Sequence, residues 1–305
     1  MAKLITIIGS GMMGSALAFP SPVGRLHIRL NKINMTRRIL TIIVMLFICA
    51  LSSSGQIKIV GHRGVRHNTP DAPETRYYEN TIPALEFSQS LGIYAAEFDV
   101  QLTSDEKIIV FHGPTVPGLG MSIQKITFDE ARAVVLPGGS HMPTIEEYFE
   151  QAKMHPETKI ICEIKKQSTP ERETKAVEQV MDAVRRMNMQ SQIEYTTFSD
   201  WMAQEFHRID PNAKVLFLED GVFVHDPDYC KSRGYDAISY DMNGLMNHPD
   251  YVKRAHELGM EVTLWVVNDY EVVDWAIRHG VDYVSSDHPE LIKKYVEGLS
   301  NFPLR

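Results

Sequence analysis

Eight side chains of this 305-residue chain could do chemistry together: His62 and His112, Arg63 and Lys165, and the carboxylates Glu79, Glu97, Asp99 and Glu163. Each falls at the end of an apolar, strand-like run or in the loop just after one. Glu97 and Asp99 are two apart on one such run, so they share a face of the strand. Glu163 and Lys165 share a face of the next run in the same way, which turns Cys162 and Ile164 toward covering helices. If both shared faces point inward, three carboxylates meet. Like charges raise one another's pKa values, so the meeting needs compensation. A hard cation supplies it, and all-oxygen ligation by Glu97, Asp99 and Glu163 points to Ca²⁺ or Mg²⁺ rather than zinc. The alternative is a salt-bridge cluster closed by Arg63 and Lys165. Imidazoles exchange protons both ways near neutral pH. Two of them beside a cation and an arginine suit cleavage of a phosphodiester: the arginine and the metal take the charge on the phosphoryl oxygens, one imidazole assists the attacking oxygen, and the other protonates the leaving one. The other histidines, His67, His141, His207, His225, His248 and His256 among them, have no such neighbours and read as structural.

The elements that must position these groups repeat. Strand-like runs at Ile57–Val60, Ala95–Val100, Lys159–Ile164, Ile193–Phe198, Lys214–Leu218, Ala237–Tyr240, Glu261–Val267 and Tyr283–Ser286 alternate with helical periods. Gly92, Gly234, Gly259 and Gly280 stand where helices must turn back to a sheet. Eight strands with intervening helices predict an α/β fold, a (β/α)8 TIM barrel; an open doubly wound sheet is the alternative. A short insertion follows the second strand. Lys107–Phe111 hairpins off that strand and ends on His112, and Thr127–Val134 and Thr144–Ala152 read as helices. Such a connection lies on the face where catalytic groups of a barrel collect.

The first acidic residue is Asp71. Residues 1–55 hold six Lys or Arg and no acid, while the rest carries 25 basic against 39 acidic side chains. Within that segment Met35-Thr36-Arg37-Arg38 is basic, 39–51 is almost wholly apolar, and Ser52-Ser53-Ser54-Gly55 is small. This is the layout of a secretory signal peptide cleaved before Gln56, or of a membrane anchor if retained. Secretion or a periplasmic location is expected, and membrane contact only through 39–51. Upstream, Lys3–Ile8 followed by Gly9-Ser10-Gly11-Met12-Met13-Gly14 resembles the opening of an NAD-dependent dehydrogenase over residues 1–20. Pro20 and Pro22 stop the helix early, and no acid follows to hold a ribose. Residues 1–34 therefore read as a non-functional extension, with translation starting at Met35 or the upstream piece coming from a neighbouring gene, and 56–305 as the working domain. The overall charge of −8 and the lack of a basic, aromatic-laced patch exclude nucleic acid as a partner. Three cysteines without C-x-x-C spacing give neither a disulfide framework nor a zinc site.

Several stretches, in order, resemble the glycerophosphodiester phosphodiesterase family: Gly61-His62-Arg63-Gly64, Glu79-Asn80-Thr81, Glu97-Phe98-Asp99-Val100, Val110-Phe111-His112, Met142 to Glu147, Glu163-Ile164-Lys165, Leu264 to Asn268 and Gly280 to Pro289. The resemblance spans about 57–297. It implies a barrel enzyme that hydrolyses glycerophosphodiesters, small-molecule substrates, to glycerol 3-phosphate and an alcohol. It implies Glu97, Asp99 and Glu163 as metal ligands and His62 and His112 as the acid/base pair. Arg63 and Lys165 would contact phosphate, Glu79 would belong to the surrounding acidic network, and Trp265 would line the glycerol side of the pocket. Three departures stand out. Gly113 replaces the family's Asp after the second histidine, Val266 replaces a Thr, and the loop from Gly64 to Glu79 is long. Two rival functions follow: lysophospholipase D–like action on larger lipids, and a catalytically silent barrel that only binds a phosphodiester.

Overall fold

The structure, a computed structural model, describes residues 57–66 and 77–301, which lie in the second of the chain's two units, Gln56–Arg305. The expectations for residues 1–34 and 35–55 fall outside the described residues, as do 67–76 of the long loop. Among the described residues no helix is long and apolar enough to cross a membrane.

Nine strands form one sheet: β1 Lys58–Gly61, β2 Ala95–Leu102, β3 Ile108–Val110, β4 Lys159–Ile164, β5 Ile193–Thr197, β6 Val215–Glu219, β7 Ala237–Asp241, β8 Glu261–Trp265 and β9 Tyr283–Ser286. All but β3 run parallel. The order β1-β9-β8-β7-β6-β5-β4-β2 closes on itself because β1 also pairs with β2, Val60 opposite Ala95. That closure rules out the open doubly wound sheet and makes the chain a (β/α)8 barrel. Helices pack outside it: α1 Ile82–Ser90, α2 Phe128–Ala133, α3 Ile145–Lys153, α4 Pro170–Met187, α5 Asp200–Ile209, α6 Pro227–Ser232, α7 Met242–Asn247, α8 Asp250–Glu257, α9 Tyr270–His279 and α10 Pro289–Asn301. Strand residues facing outward, such as Phe98, Cys162 and Ile164, are fully buried with helix residues such as Phe149, Val177 and Phe206 in one core. Cys162 and Ile164 thus face the helices as strand alternation requires. Among the α-helices, the sequence reading misses α7; it also misses the 3-10 turn Ile123–Lys125 in the insertion. α7 starts directly after β7, capped by Asp241 at the strand's last position, so no loop or turn signal separates it from the strand.

The insertion after β2 has its own small core. Ile109, Phe111, Val116, Ile123, Ile126, Ala131, Leu136 and Met142 bury one another. β3 runs antiparallel to β2 with Val110 opposite Val100, and the Phe111 amide continues the pairing onto the Asp99 carbonyl at 3.0 Å. The residue after Phe111, His112, is thereby delivered beside Asp99. Capping boxes at Thr127/Glu130 and Thr144/Glu147 fix α2 and α3, each satisfying helix-start amides that would otherwise lack partners.

Candidate active site

Sequence locally dictates the turn that presents His62 and Arg63. After β1 the chain must reverse within three residues, with Arg63 at φ 55 and Gly64 at φ 76. A Cβ at Gly61 would collide with the Gly64 carbonyl oxygen, so only glycine fits there. Asn80, itself left-handed at φ 59, staples this turn to β2. Its amide nitrogen donates to Asp99 Oδ2 at 2.8 Å, its amide oxygen accepts from the Asp99 backbone N–H at 2.8 Å, and its own N–H donates to the Arg63 carbonyl at 3.0 Å. Asparagine tolerates this backbone region better than most residues.

Inside the mouth, Glu97, Asp99 and Glu163 each offer an oxygen within 4.8 Å of the other two, and all three are buried. The register explains this: Asp99 of β2 sits opposite Glu163 of β4. Compensating cations are present but do not complete the site. Arg63 gives its Nη1 to both oxygens of Glu79, at 3.1 and 3.0 Å, and its Nε lies 3.8 Å from Asp99. The Arg63 backbone N–H donates to Glu97 Oε2 at 2.7 Å. Lys165 donates to Glu163 Oε1 at 2.6 Å and stands 3.4 Å from Asp99 Oδ1. So the salt-bridge cluster exists. Yet Glu97 Oε1 and Asp99 Oδ1 are buried without a hydrogen-bond partner, a costly state for carboxylate oxygens in a folded protein. Three buried acids, one with an oxygen (Glu97 Oε1) lacking a hydrogen-bond partner and one (Asp99 Oδ1) met only by the Lys165 ion pair, could hold a divalent cation.

The protonation states carry the same crowding. Burial, then Asp99 and Glu163, push Glu97 well above the ordinary carboxylate range. Glu163 is pushed up to about 7 by burial and Asp99, with Lys165 opposing. Burial would raise Asp99 too, but Lys165, His112, Arg63 and the Asn80 amide together hold it low. His112 is lowered to about 3, chiefly by burial, with Lys165, Arg63 and His62 adding to it against Asp99. Its Nε2 takes a hydrogen bond from Arg63 Nη2 at 2.8 Å. A guanidinium only donates, so that nitrogen carries a lone pair and His112 is neutral.

His62 is held differently. Its Nδ1 lies 2.7 Å from Asp287 Oδ1, and Asp287 is fixed in turn by Asn268, which donates to Oδ2 at 2.9 Å and accepts from the Asp287 N–H at 2.9 Å. Burial raises Asp287, but the His62 bond and charge and Asn268 outweigh it and leave the carboxyl below its ordinary value. A carboxylate partner puts a proton on Nδ1 and leaves Nε2 for the substrate.

A cleft of about 220 Å³ opens over these groups, lined by His62, Arg63, Glu97, His112, Glu163 and Lys165 on one side and by Phe198, Leu218 and Trp265 on the other. Glu79 and Asp99 stand just behind this lining. All nine residues singled out in the sequence therefore converge. Three supporting residues escaped that reading. Asp287 is 225 positions from His62 and reaches it only because β9 pairs with β1. Asn80 lies within a stretch already quoted, but nothing local shows its bond to Asp99. Gln101 continues the alternation of Glu97 and Asp99, and its amide donates to the carbonyls of Phe111, His112 and Gly113 at 3.1, 2.9 and 3.4 Å. It braces the His112 loop. A Cβ at Gly113 would stand 3.0 and 3.1 Å from the Phe111 ring, so this loop packs around a glycine rather than lacking an acid.

Acids, imidazoles and cations gathered at the C-terminal mouth of a (β/α)8 barrel define a barrel enzyme, with its site where such enzymes carry them. Residues 62–291 match the glycerophosphoryl diester phosphodiesterase family, and the chain belongs to it. A crystal structure of a glycerophosphodiester phosphodiesterase from Parabacteroides distasonis is similar, with 31% identity and a TM-score of 0.73, covering 80% of this chain and 98% of that one. A glycerophosphodiester phosphodiesterase of Caldanaerobacter subterraneus is 24% identical over 246 residues, 77% of this chain and 95% of the relative. A phosphodiesterase from Oleispira antarctica, solved with the product sn-glycerol-3-phosphate, shares the fold at 17% identity and a TM-score of 0.69, covering 80% of this chain and 98% of that one.

Proposed function

We propose that the enzyme hydrolyses glycerophosphodiesters to glycerol 3-phosphate and an alcohol, with Glu97, Asp99 and Glu163 holding one divalent cation, Ca²⁺ or Mg²⁺. The cation, when bound, withdraws charge from the phosphoryl oxygens and makes phosphorus more electrophilic. Arg63 and Lys165 bind the remaining phosphate charge, each already positioned by a carboxylate. His62 and His112 exchange the protons: one removes a proton from the attacking water as the new P–O bond forms, and the other delivers a proton to the alcohol oxygen as the old P–O bond breaks. Asp287 and Gln101 position the two imidazoles. Trp265 lines the cleft beside the substrate carbon atoms.

The observation that carries this reading is the buried acid trio, in which Glu97 Oε1 and Asp99 Oδ1 accept no hydrogen bond, beside two separately braced imidazoles. The test is release of glycerol 3-phosphate from glycerophosphocholine by the purified protein, with EDTA abolishing it and Ca²⁺ or Mg²⁺ restoring it. Hydrolysis untouched by chelator removes the metal assignment, and binding without turnover leaves a silent phosphodiester-binding barrel. We further propose that residues 35–55 direct export, on the strength of the basic, apolar and small-residue runs in that order.

A further inference from the structure

We propose that Glu173, a buried acid outside the cleft, positions Lys165 for the reaction by tying the loop after β4 to the loop after β5. This rests on the phosphodiesterase reading above. Glu173 is the fourth residue of α4 and is 3% exposed. The helix itself does not need that carboxylate. Its start is capped by the Thr169 hydroxyl, which accepts from the Arg172 N–H at 3.4 Å, and the exposed Glu171 already sets an acid in the first turn. A carboxylate withdrawn from water is costly unless hydrogen bonds replace the lost solvent, and Glu173 forms no ion pair among the described residues. Its hydrogen bonds show what it holds.

Glu173 Oε1 accepts from the Gln167 backbone N–H at 3.4 Å, and Oε2 accepts from the Ser199 hydroxyl at 2.6 Å. Gln167, also buried, turns its side chain back along the loop and donates from Nε2 to the Lys165 carbonyl at 2.6 Å. A flipped amide would set two oxygens against each other at that distance, so only one orientation fits. On the other arm, the Thr197 hydroxyl accepts from the Ser199 N–H at 3.1 Å and donates to the Ile164 carbonyl at 3.3 Å. The peptide groups on both sides of Lys165 are thus held, and Glu173 joins the two arms that hold them. A lysine has many rotamers, so its ammonium keeps one place only when its backbone is fixed and acids hold its tip. Here the tip stays 2.6 Å from Glu163 Oε1 and 3.4 Å from Asp99 Oδ1. Once the loop is released, the ammonium leaves the acid trio. Phosphate then loses a counter-charge and substrate binds more weakly. A divalent cation gains, because the ammonium no longer competes for Glu163 and Asp99. The two effects have opposite signs, whereas general loosening of the fold weakens both.

The experiment uses the full-length protein and reads two quantities, KM for glycerophosphocholine and the affinity for Ca²⁺ titrated alone by calorimetry. In Glu173→Ala, KM is expected to rise about five- to tenfold, the scale of one lost hydrogen bond, with kcat changing by less than about threefold. Ca²⁺ is expected to bind as tightly as in wild type or more tightly. Gln167→Ala cuts the same tie at the Lys165 carbonyl and is expected to show the same pair of changes; it carries the test if Glu173→Ala does not fold. Glu173→Gln is expected to recover most of the loss, since its amide oxygen accepts from the Gln167 N–H and its NH₂ donates to the Ser199 hydroxyl oxygen. In a Lys165→Met background, Glu173→Ala is expected to add less than about twofold to KM, because its effect runs through the ammonium. An unchanged KM in Glu173→Ala overturns the proposal while leaving the phosphodiesterase reading intact. So does a Ca²⁺ affinity that falls together with substrate affinity, or a full additional loss in the Lys165→Met background. A wild type that cleaves no diester overturns the phosphodiesterase reading, and this proposal with it.

Discussion

Asp287→Asn removes one charge and changes no volume, yet it is expected to slow the enzyme strongly. In the wild type, Asp287 accepts on both oxygens, from His62 Nδ1 at 2.7 Å and from Asn268 Nδ2 at 2.9 Å. An asparagine there has one oxygen and one NH₂. If the oxygen stays on Asn268, the NH₂ faces His62 and forces the imidazole proton onto Nε2, the atom that must exchange it with substrate. If the amide flips, two NH₂ groups confront each other and the His62 brace loosens. Either way a hydrogen bond to a charged group is lost, about 1.5–3 kcal/mol, which corresponds to roughly a 10- to 150-fold fall in kcat. KM is expected to stay within about threefold, because Asp287 is not a phosphate contact. The assay is steady-state release of glycerol 3-phosphate under saturating cation, with thermal unfolding run in parallel. Asp287→Ala separates orientation from folding: its kcat is expected to fall at least as far. A kcat for Asp287→Asn within twofold of wild type would refute the assignment of His62 to proton transfer.

Further outcomes follow from the same geometry. Glu163, held at about 7 against an ordinary 4.5, must lose its proton to take a cation, so affinity is expected to weaken as pH falls below 7. At pH 6 about one to two protons should leave per cation bound, seen as a buffer-dependent heat; zero release would contradict the assignment. Without cation, the raised Glu163 makes the native state bind more protons than the unfolded chain between 4.5 and about 7, so its contribution to stability falls as pH rises through that window. His112, lowered from 6.5 to about 3, acts in the opposite sense, adding stability as pH rises from about 3 toward 6.5. Proton release is therefore the cleaner readout than melting temperature. Gly113→Asp, which restores the family's residue, is expected to lose about 1–3 kcal/mol of stability through the Phe111 contact and to gain no activity; a several-fold rise in kcat/KM would mean that Gln101 does not substitute for the acid. Intact mass of exported protein is expected to begin at Gln56, and a mass beginning at Met1 would sink the signal assignment.

The barrel was legible because short apolar runs alternate with helical periods and Gly92, Gly234, Gly259 and Gly280 mark four of the turns back to the sheet, local signals that repeat. Pairing of Glu97 with Asp99 on one face was legible for the same local reason. The orienting residues were not. The bond from Asp287 to His62 exists only after β9 and β1 close the ring, and although Gly280 to Pro289 matches the family, nothing local shows which residue Asp287 holds. Gln101 looks like any strand glutamine until β3 folds back over it. The acid count suggested a cation, but only burial and the oxygens of Glu97 and Asp99 that accept no hydrogen bond separate that reading from a finished salt-bridge cluster.

One titration bears most directly on the central reading. Protein freed of metal by chelator is titrated with Ca²⁺ and, separately, Mg²⁺, and heat and glycerol 3-phosphate release are followed in the same samples. The expected result is one site per chain, activity returning in step with its occupancy, and loss of both in Glu97→Gln at unchanged folding. Full turnover with the site empty, or a Glu97→Gln protein that still binds the ion and works, would contradict it.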